Sequence, residues 1–151
     1  MFTKVIWATD GSSDADVAMP LARTLARESK APLVVVYCEE FTLPGKGGGS
    51  LPIHANEDEV EGKIQRQVSE LSADGLHATL EMEKAKVGGA GHVIADVAAR
   101  EQADLIVVGT RGHTVLGGLL LGSVTQRLLH IAPCPVLAVP ARDGATDRHR
   151  S

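Results

Sequence analysis

The stretch DLIVVGTRGHTVLGGLLLGS, Asp104–Ser123, runs from an apolar segment through a glycine-rich connection to the start of a helix. Asp104–Val108 is apolar after its first residue, as a strand buried on both faces requires. Ser123–Ile131 then turns Val124, Leu128 and Ile131 to one side, a helical spacing. Upstream, Val87-Gly88-Gly89-Ala90-Gly91 forms a tight glycine turn, and Ile94, Val97 and Ala98 give a short helix ending near Glu101. A helix, a buried strand and another helix in succession are the repeating unit of an alternating α/β chain.

The rest of the chain continues that alternation. Lys4–Thr9 (KVIWAT) is a β-branched apolar run that ends in the turn cluster Asp10-Gly11-Ser12-Ser13. From Asp14 to Ser29, Ala15, Ala18, Leu21, Ala22, Leu25 and Ala26 mark a one-faced helix. Pro20 within it predicts a kink or a late start. Leu33–Cys38 (LVVVYC) is a second buried strand. Phe41–Ile53, with four glycines and two prolines, reads as a mobile loop. Glu57–Leu71 carries Val60, Ile64, Val68 and Leu71 on one stripe and stops near Asp74-Gly75. His77–Glu83 alternates apolar with polar, the signature of an edge strand. Pro135–Val139 is a final strand bracketed by Pro135 and Pro140, and the polar tail from Ala141 to Ser151 is expected to be disordered.

Five strands alternating with four helices predict one α/β domain over residues 1–140. Its sheet is a doubly wound, five-stranded parallel sheet in the order 3-2-1-4-5, with helices on both faces. Its ligand crevice lies where the winding reverses, at the carboxyl ends of strands 1 and 4.

Composition narrows the function. At 151 residues and a formal net charge of −4, the chain lacks the basic stripe of a nucleic-acid binder. No apolar run approaches the roughly 18 residues of a membrane span, and the N-terminus has no signal-peptide pattern, so a cytoplasmic protein without membrane contact is expected. Cys38 and Cys134 form no CxxC pair, and the six histidines show no ligand spacing, so no metal site is expected. No GxSxG elbow, Walker A loop or complete GxGxxG occurs, and this argues against a hydrolase, a P-loop NTPase and a dinucleotide oxidoreductase.

Two loops converge on the crevice. Thr9-Asp10-Gly11-Ser12 follows strand 1, and Gly109-Thr110-Arg111-Gly112 follows strand 4 and leads to Gly122-Ser123. A glycine group before a helix start suits an anion, which the free N–H groups and the dipole favour. Ser123 and Thr125 add hydroxyls there, and Arg111 adds a fixed positive charge. Asp10 reads as a helix cap, as a partner for ribose hydroxyls or as part of a Mg²⁺ shell. Ser123 likewise reads as a phosphate donor or a simple N-cap. His113, after Gly112, is a further candidate phosphate contact. The apolar stripe Val115–Leu121 is either core or an interface beside the site.

Gly109-x2-Gly112-x9-Gly122-Ser123 resembles the signature of ATP-binding members of the universal stress protein family. The resemblance extends to Thr9-Asp10-Gly11-Ser12, to Val87–Ile94 and to Gly122–Leu137, so it spans residues 1–140. It implies ATP or a related adenine nucleotide, with Mg²⁺, in the crevice. By position, Asp10 would hold the ribose, and Ala8 and Thr9 would lie near the adenine and sugar. Cys38 would meet the base through its backbone, and Val108 would line the base pocket. Gly109, Gly112, Gly122, Ser123, Val124 and Thr125 would wrap the ribose and phosphates. Ala90 stands where the family often has proline.

The resemblance implies a regulatory nucleotide-binding module acting on an unidentified partner. A slow ATP-hydrolysing enzyme and a structural dimer without nucleotide are the competing readings. A homodimer through the last strand is expected, since a bare apolar edge invites pairing.

Overall fold

The computed structural model describes residues 1–42, 51–52, 57–111 and 121–141. Its strands are β1 (Val5–Thr9), β2 (Leu33–Thr42), β3 (Leu51–Pro52), β4 (Ala78–Lys86), β5 (Leu105–Gly109) and β6 (Val136–Val139). Its helices are α1 (Ser13–Asp16), α2 (Met19–Ser29), α3 (Glu57–Ala73), α4 (Ala90–Glu101) and α5 (Ser123–Ile131). The parallel sheet runs β4-β2-β1-β5-β6, which is the expected order 3-2-1-4-5. The two-residue β3 is an addition: it pairs antiparallel with the far end of β2, at Phe41–Pro52 and Thr42–Leu51.

Strand periodicity sorts the core into two layers. Val5, Trp7, Leu33, Val35, Tyr37, Leu105 and Val107 face α2 and α3, where they meet Ala22, Ala26, Ile64 and Leu71. Ile6, Ala8, Val34, Val36, Cys38, Ile106 and Val108 face α4 and α5, where they meet Ile94, Val97, Ala98 and Leu128. Each fully buried Leu, Ile or Val contributes about 1.5–3 kcal/mol, so the continuous apolar strands hold the sheet between its helices. β4 pairs only with β2 among the described strands, which makes it the alternating edge that its sequence predicts.

Several element boundaries differ from expectation. The helix expected from Asp14 to Ser29 is broken at Val17 and Ala18 into α1 and α2. Pro20 sits in the first turn of α2, where its missing N–H has no intrahelical partner to lose. β2 continues four residues past Cys38, because β4 keeps pairing with it as far as Phe41–Lys86. α2 and α4 both close on left-handed non-glycine residues, Lys30 (φ 54°) and Gln102 (φ 55°), whose N–H groups bond back to Ala26 and Ala98.

Most of the expected mobile loop Phe41–Ile53, Gly112, His113, the spacer 115–120, His54 and the tail from 142 onward lie outside the described residues.

Candidate functional site

β1 and β5 lie side by side and parallel. The chain leaves β1 toward β2 and leaves β5 toward β6, so their carboxyl ends form the reversal point of the winding. The β1–α1 turn and the start of α5 therefore open onto one place.

The β1–α1 turn is held by its own side chains. Thr9 Oγ1 accepts from the Gly11 N–H at 3.0 Å. Asp10 Oδ1 accepts from the Ser12 N–H at 3.0 Å and from the Ser12 hydroxyl at 2.6 Å. Ser12 Oγ in turn accepts from the Ala15 N–H at 3.2 Å, which caps α1. So Ser12, not Asp10, is the N-cap, and Asp10 is oriented by the turn it precedes. Gly11 has φ +82°, and a Cβ there would stand 2.5 Å from Val60 Cγ1 of α3. Glycine is needed at this position both for its backbone conformation and for its lack of a side chain.

The turn is braced from the α3 side. Lys63 Nζ donates to the Gly11 carbonyl at 2.8 Å and pairs with Asp16 Oδ2 at 2.6 Å. Gln67 Nε2 donates to Asp16 Oδ1 at 2.9 Å. The Trp7 indole N–H donates to the Ala15 carbonyl at 3.2 Å. Tyr37 donates its hydroxyl to Glu57 Oε2 at 2.6 Å. Burial, that hydrogen bond and the charges of Glu57, Glu39 and Asp10 push the Tyr37 phenol far above its usual range. None of these α3 contacts was anticipated from sequence. The stripe Val60, Ile64, Val68, Leu71 identifies the inward face of α3, and Lys63 and Gln67, four apart, flank it.

Gly109 is where the two loops touch. A Cβ on Gly109 would lie 2.5 Å from the Asp14 carbonyl oxygen, so α1 rests directly on the end of β5. The Gly109 carbonyl accepts from Thr125 Oγ1 at 2.8 Å, and the Gly122 N–H donates to the Thr110 carbonyl at 2.6 Å. These two bonds tie the first turn of α5 to the end of β5. The Thr125 hydroxyl is thus spent as a donor on Gly109 and is buried. That bond seats the first turn of α5 on the end of β5.

Gly122 is the N-cap of α5 and supplies no side-chain cap. Its φ of −62° and ψ of 155° are extended backbone open to any residue. Ser123 is exposed at the first helical position, and half-buried Arg111 continues the chain from Thr110.

The remaining described candidates share one core layer. Ala8, Val108 and Cys38 are buried in one cluster, and Val124 packs against it. Cys38 is not at the end of its strand, but it lies one residue past the last β1–β2 pair, Thr9–Tyr37, and so reaches the level of Asp10. Burial and the nearby Glu40, Glu83 and Glu39 push its thiol up to about 12, which keeps it neutral. Among the described residues no group of three or more His, Cys, Asp or Glu is arranged to hold a metal, and no helix is long and apolar enough to cross a membrane.

A family model described as the universal stress protein family matches residues 1–140. A universal stress protein of Thermus aquaticus is 34% identical over 145 residues, covering 92% of this chain and 99% of its own. Among solved structures, the Archaeoglobus fulgidus universal stress protein in complex with dAMP superposes with a TM-score of 0.62 at 26% identity, over 92% of this chain and 98% of its own. A universal stress protein in complex with cAMP gives the same TM-score at 25% identity, over 91% and 96% of the two chains.

Proposed function

The chain belongs to the universal stress protein family, and from that premise we propose that it is an ATP-binding regulatory module. The observation that carries the reading is an oriented carboxylate and a helix start without a side-chain cap, both at the sheet's reversal point. Asp10, oriented by Ser12, would accept from the ribose hydroxyls. The first turn of α5, capped only by Gly122, would direct its N–H groups and dipole at the phosphates. Ser123 would add a hydroxyl, and Arg111 and Gly112 would close around the phosphates. Gly109 would keep the β5 end low enough for the nucleotide to lie across it. Ala8, Thr9, Val108, Val124 and the backbone at Cys38 would surround the base and sugar.

Support also comes from the two relatives crystallised with dAMP and cAMP, which make adenine the common element. Mg²⁺ would arrive with the triphosphate. The module would be a cytoplasmic homodimer through the outer edge of β6, whose four residues are half-buried and pair only with β5 among the described strands.

The test is mass analysis of small molecules released from the purified protein, followed by calorimetric titration with ATP, ADP, AMP and cAMP. ATP with Mg²⁺ should bind, and Asp10→Ala should weaken ATP and ADP alike. Failure of every adenine nucleotide to bind overturns the reading. Sedimentation of a 15.8 kDa monomer at micromolar concentration overturns the dimer.

A further inference from the structure

The β1–α1 turn is braced from behind by α3, through residues outside the crevice. Both backbone groups of Gly11 are engaged: Thr9 Oγ1 takes its N–H at 3.0 Å and Lys63 Nζ takes its carbonyl at 2.8 Å. The same ammonium holds Asp16 Oδ2 at 2.6 Å, while Gln67 holds Asp16 Oδ1 at 2.9 Å. Lys63 thereby ties the turn before α1 to the last residue of α1. Between those two points stand Ser12, whose N–H and hydroxyl fix Asp10 Oδ1, and Ala15, whose N–H reaches Ser12.

We propose that Lys63 is a positioning residue of the nucleotide site, setting through the Gly11 carbonyl the turn that aims Asp10 at the ribose. The proposal rests on the adenine-nucleotide reading above. Lys63 needs no contact with the ligand. Its side chain is about one-third exposed, at 34%, so the ion pair alone contributes little to stability. What it supplies is geometry. The carbonyl of this left-handed turn residue takes the ammonium as its partner. Because Lys63 acts through a sugar contact, its loss affects every nucleotide by the same factor, whatever the number of phosphates. A lysine acting by charge on the phosphates affects ATP most and AMP least.

The experiment titrates AMP, ADP and ATP into the intact parent protein, Lys63→Met, Lys63→Arg, Asp10→Ala and the Asp10→Ala/Lys63→Met double variant. Backbone amide exchange of the ligand-free proteins is followed alongside. Lys63→Met should weaken all three nucleotides about five- to tenfold, the range of one ordinary hydrogen bond. Lys63→Arg should recover most of that loss. The double variant should bind no more weakly than Asp10→Ala, since both changes remove one contact. The Ser12 and Ala15 amides should exchange faster in Lys63→Met, while β1 stays protected. Unchanged affinity in Lys63→Met overturns the proposal alone. A loss that grows from AMP to ATP also overturns it, in favour of a direct phosphate charge. A parent protein that binds none of the three overturns the nucleotide reading and the proposal together.

Discussion

Three glycines mark the two loops of the crevice, and they are there for different reasons. Gly11 in the β1–α1 turn has a left-handed backbone and a neighbour, Val60, that leaves no room for a Cβ. Gly109 at the end of β5 needs only the space, because the Asp14 carbonyl of α1 lies against it. Gly122 at the start of α5 has extended backbone that any residue adopts. So the β1 loop and the end of β5 use glycine to build the fold, while nothing in the backbone at Gly122 demands it. That contrast in backbone geometry can be tested position by position.

The largest effect on stability should come from Gly11→Val. A β-branched residue at φ +82° is strained by about 1–2 kcal/mol, and the side chain must also displace Val60, at about 1–3 kcal/mol more. Chemical denaturation should show a loss of about 3 kcal/mol or more. A variant as stable as the parent would mean that the turn relaxes freely, and the proposed bracing by α3 would weaken with it. Gly109→Ala should cost about 2 kcal/mol, the range for overpacking against a backbone that cannot rotate away. If the loss is smaller than about 0.5 kcal/mol, then α1 is loosely seated and Gly109 belongs with Gly122.

Thr125→Val comes next. It keeps the volume and removes the donor to the buried Gly109 carbonyl, so about 1 kcal/mol of stability should go. Thr125→Ser should recover it. Nucleotide affinity should fall in Thr125→Val only as far as α5 shifts, and a loss of binding without any change in stability would return Thr125 to the ligand.

Much of the fold was legible because its strands advertise their burial. LVVVYC and DLIVV read as strands covered on both faces, and HATLEME reads as an edge, which fixed the strand order once right-handed crossovers were assumed. The break at Val17 and Ala18 was half visible, through Pro20. The ends of α2 and α4 carry no glycine, and the left-handed turns at Lys30 and Gln102 follow from tertiary packing rather than residue type. β2 outruns its apolar segment because β4 supplies a pairing partner, an influence no local pattern contains. At the site, spacing placed Asp10, Gly109 and Gly122 at one end of the sheet. It could not show that Thr125 turns inward, or that Lys63, more than fifty residues from Asp10, holds the same turn. Side-chain contacts across that separation leave no local mark in a single sequence.

The smallest effect on stability should come from Gly122→Val, and it carries the sharpest functional consequence. At φ −62° and ψ 155° valine is unstrained. Gly122 makes no side-chain cap bond, so exchanging it for the poorer cap valine should cost no more than about 1 kcal/mol. The melting transition should therefore remain cooperative and close to the parent's. Binding should behave oppositely. A branched side chain at the helix start would stand where a phosphate must approach the first-turn N–H groups, and ATP titration should show no measurable affinity. Ser123→Ala beside it should weaken ATP by only about 1–2 kcal/mol, the worth of one hydrogen bond to a charged group. Gly11→Val and Gly109→Ala should lose stability and binding together, whereas Gly122→Val should lose binding alone. If Gly122→Val is stable and still binds ATP as tightly as the parent, the opening of α5 is not the phosphate site, and the difference between the glycines has no functional meaning.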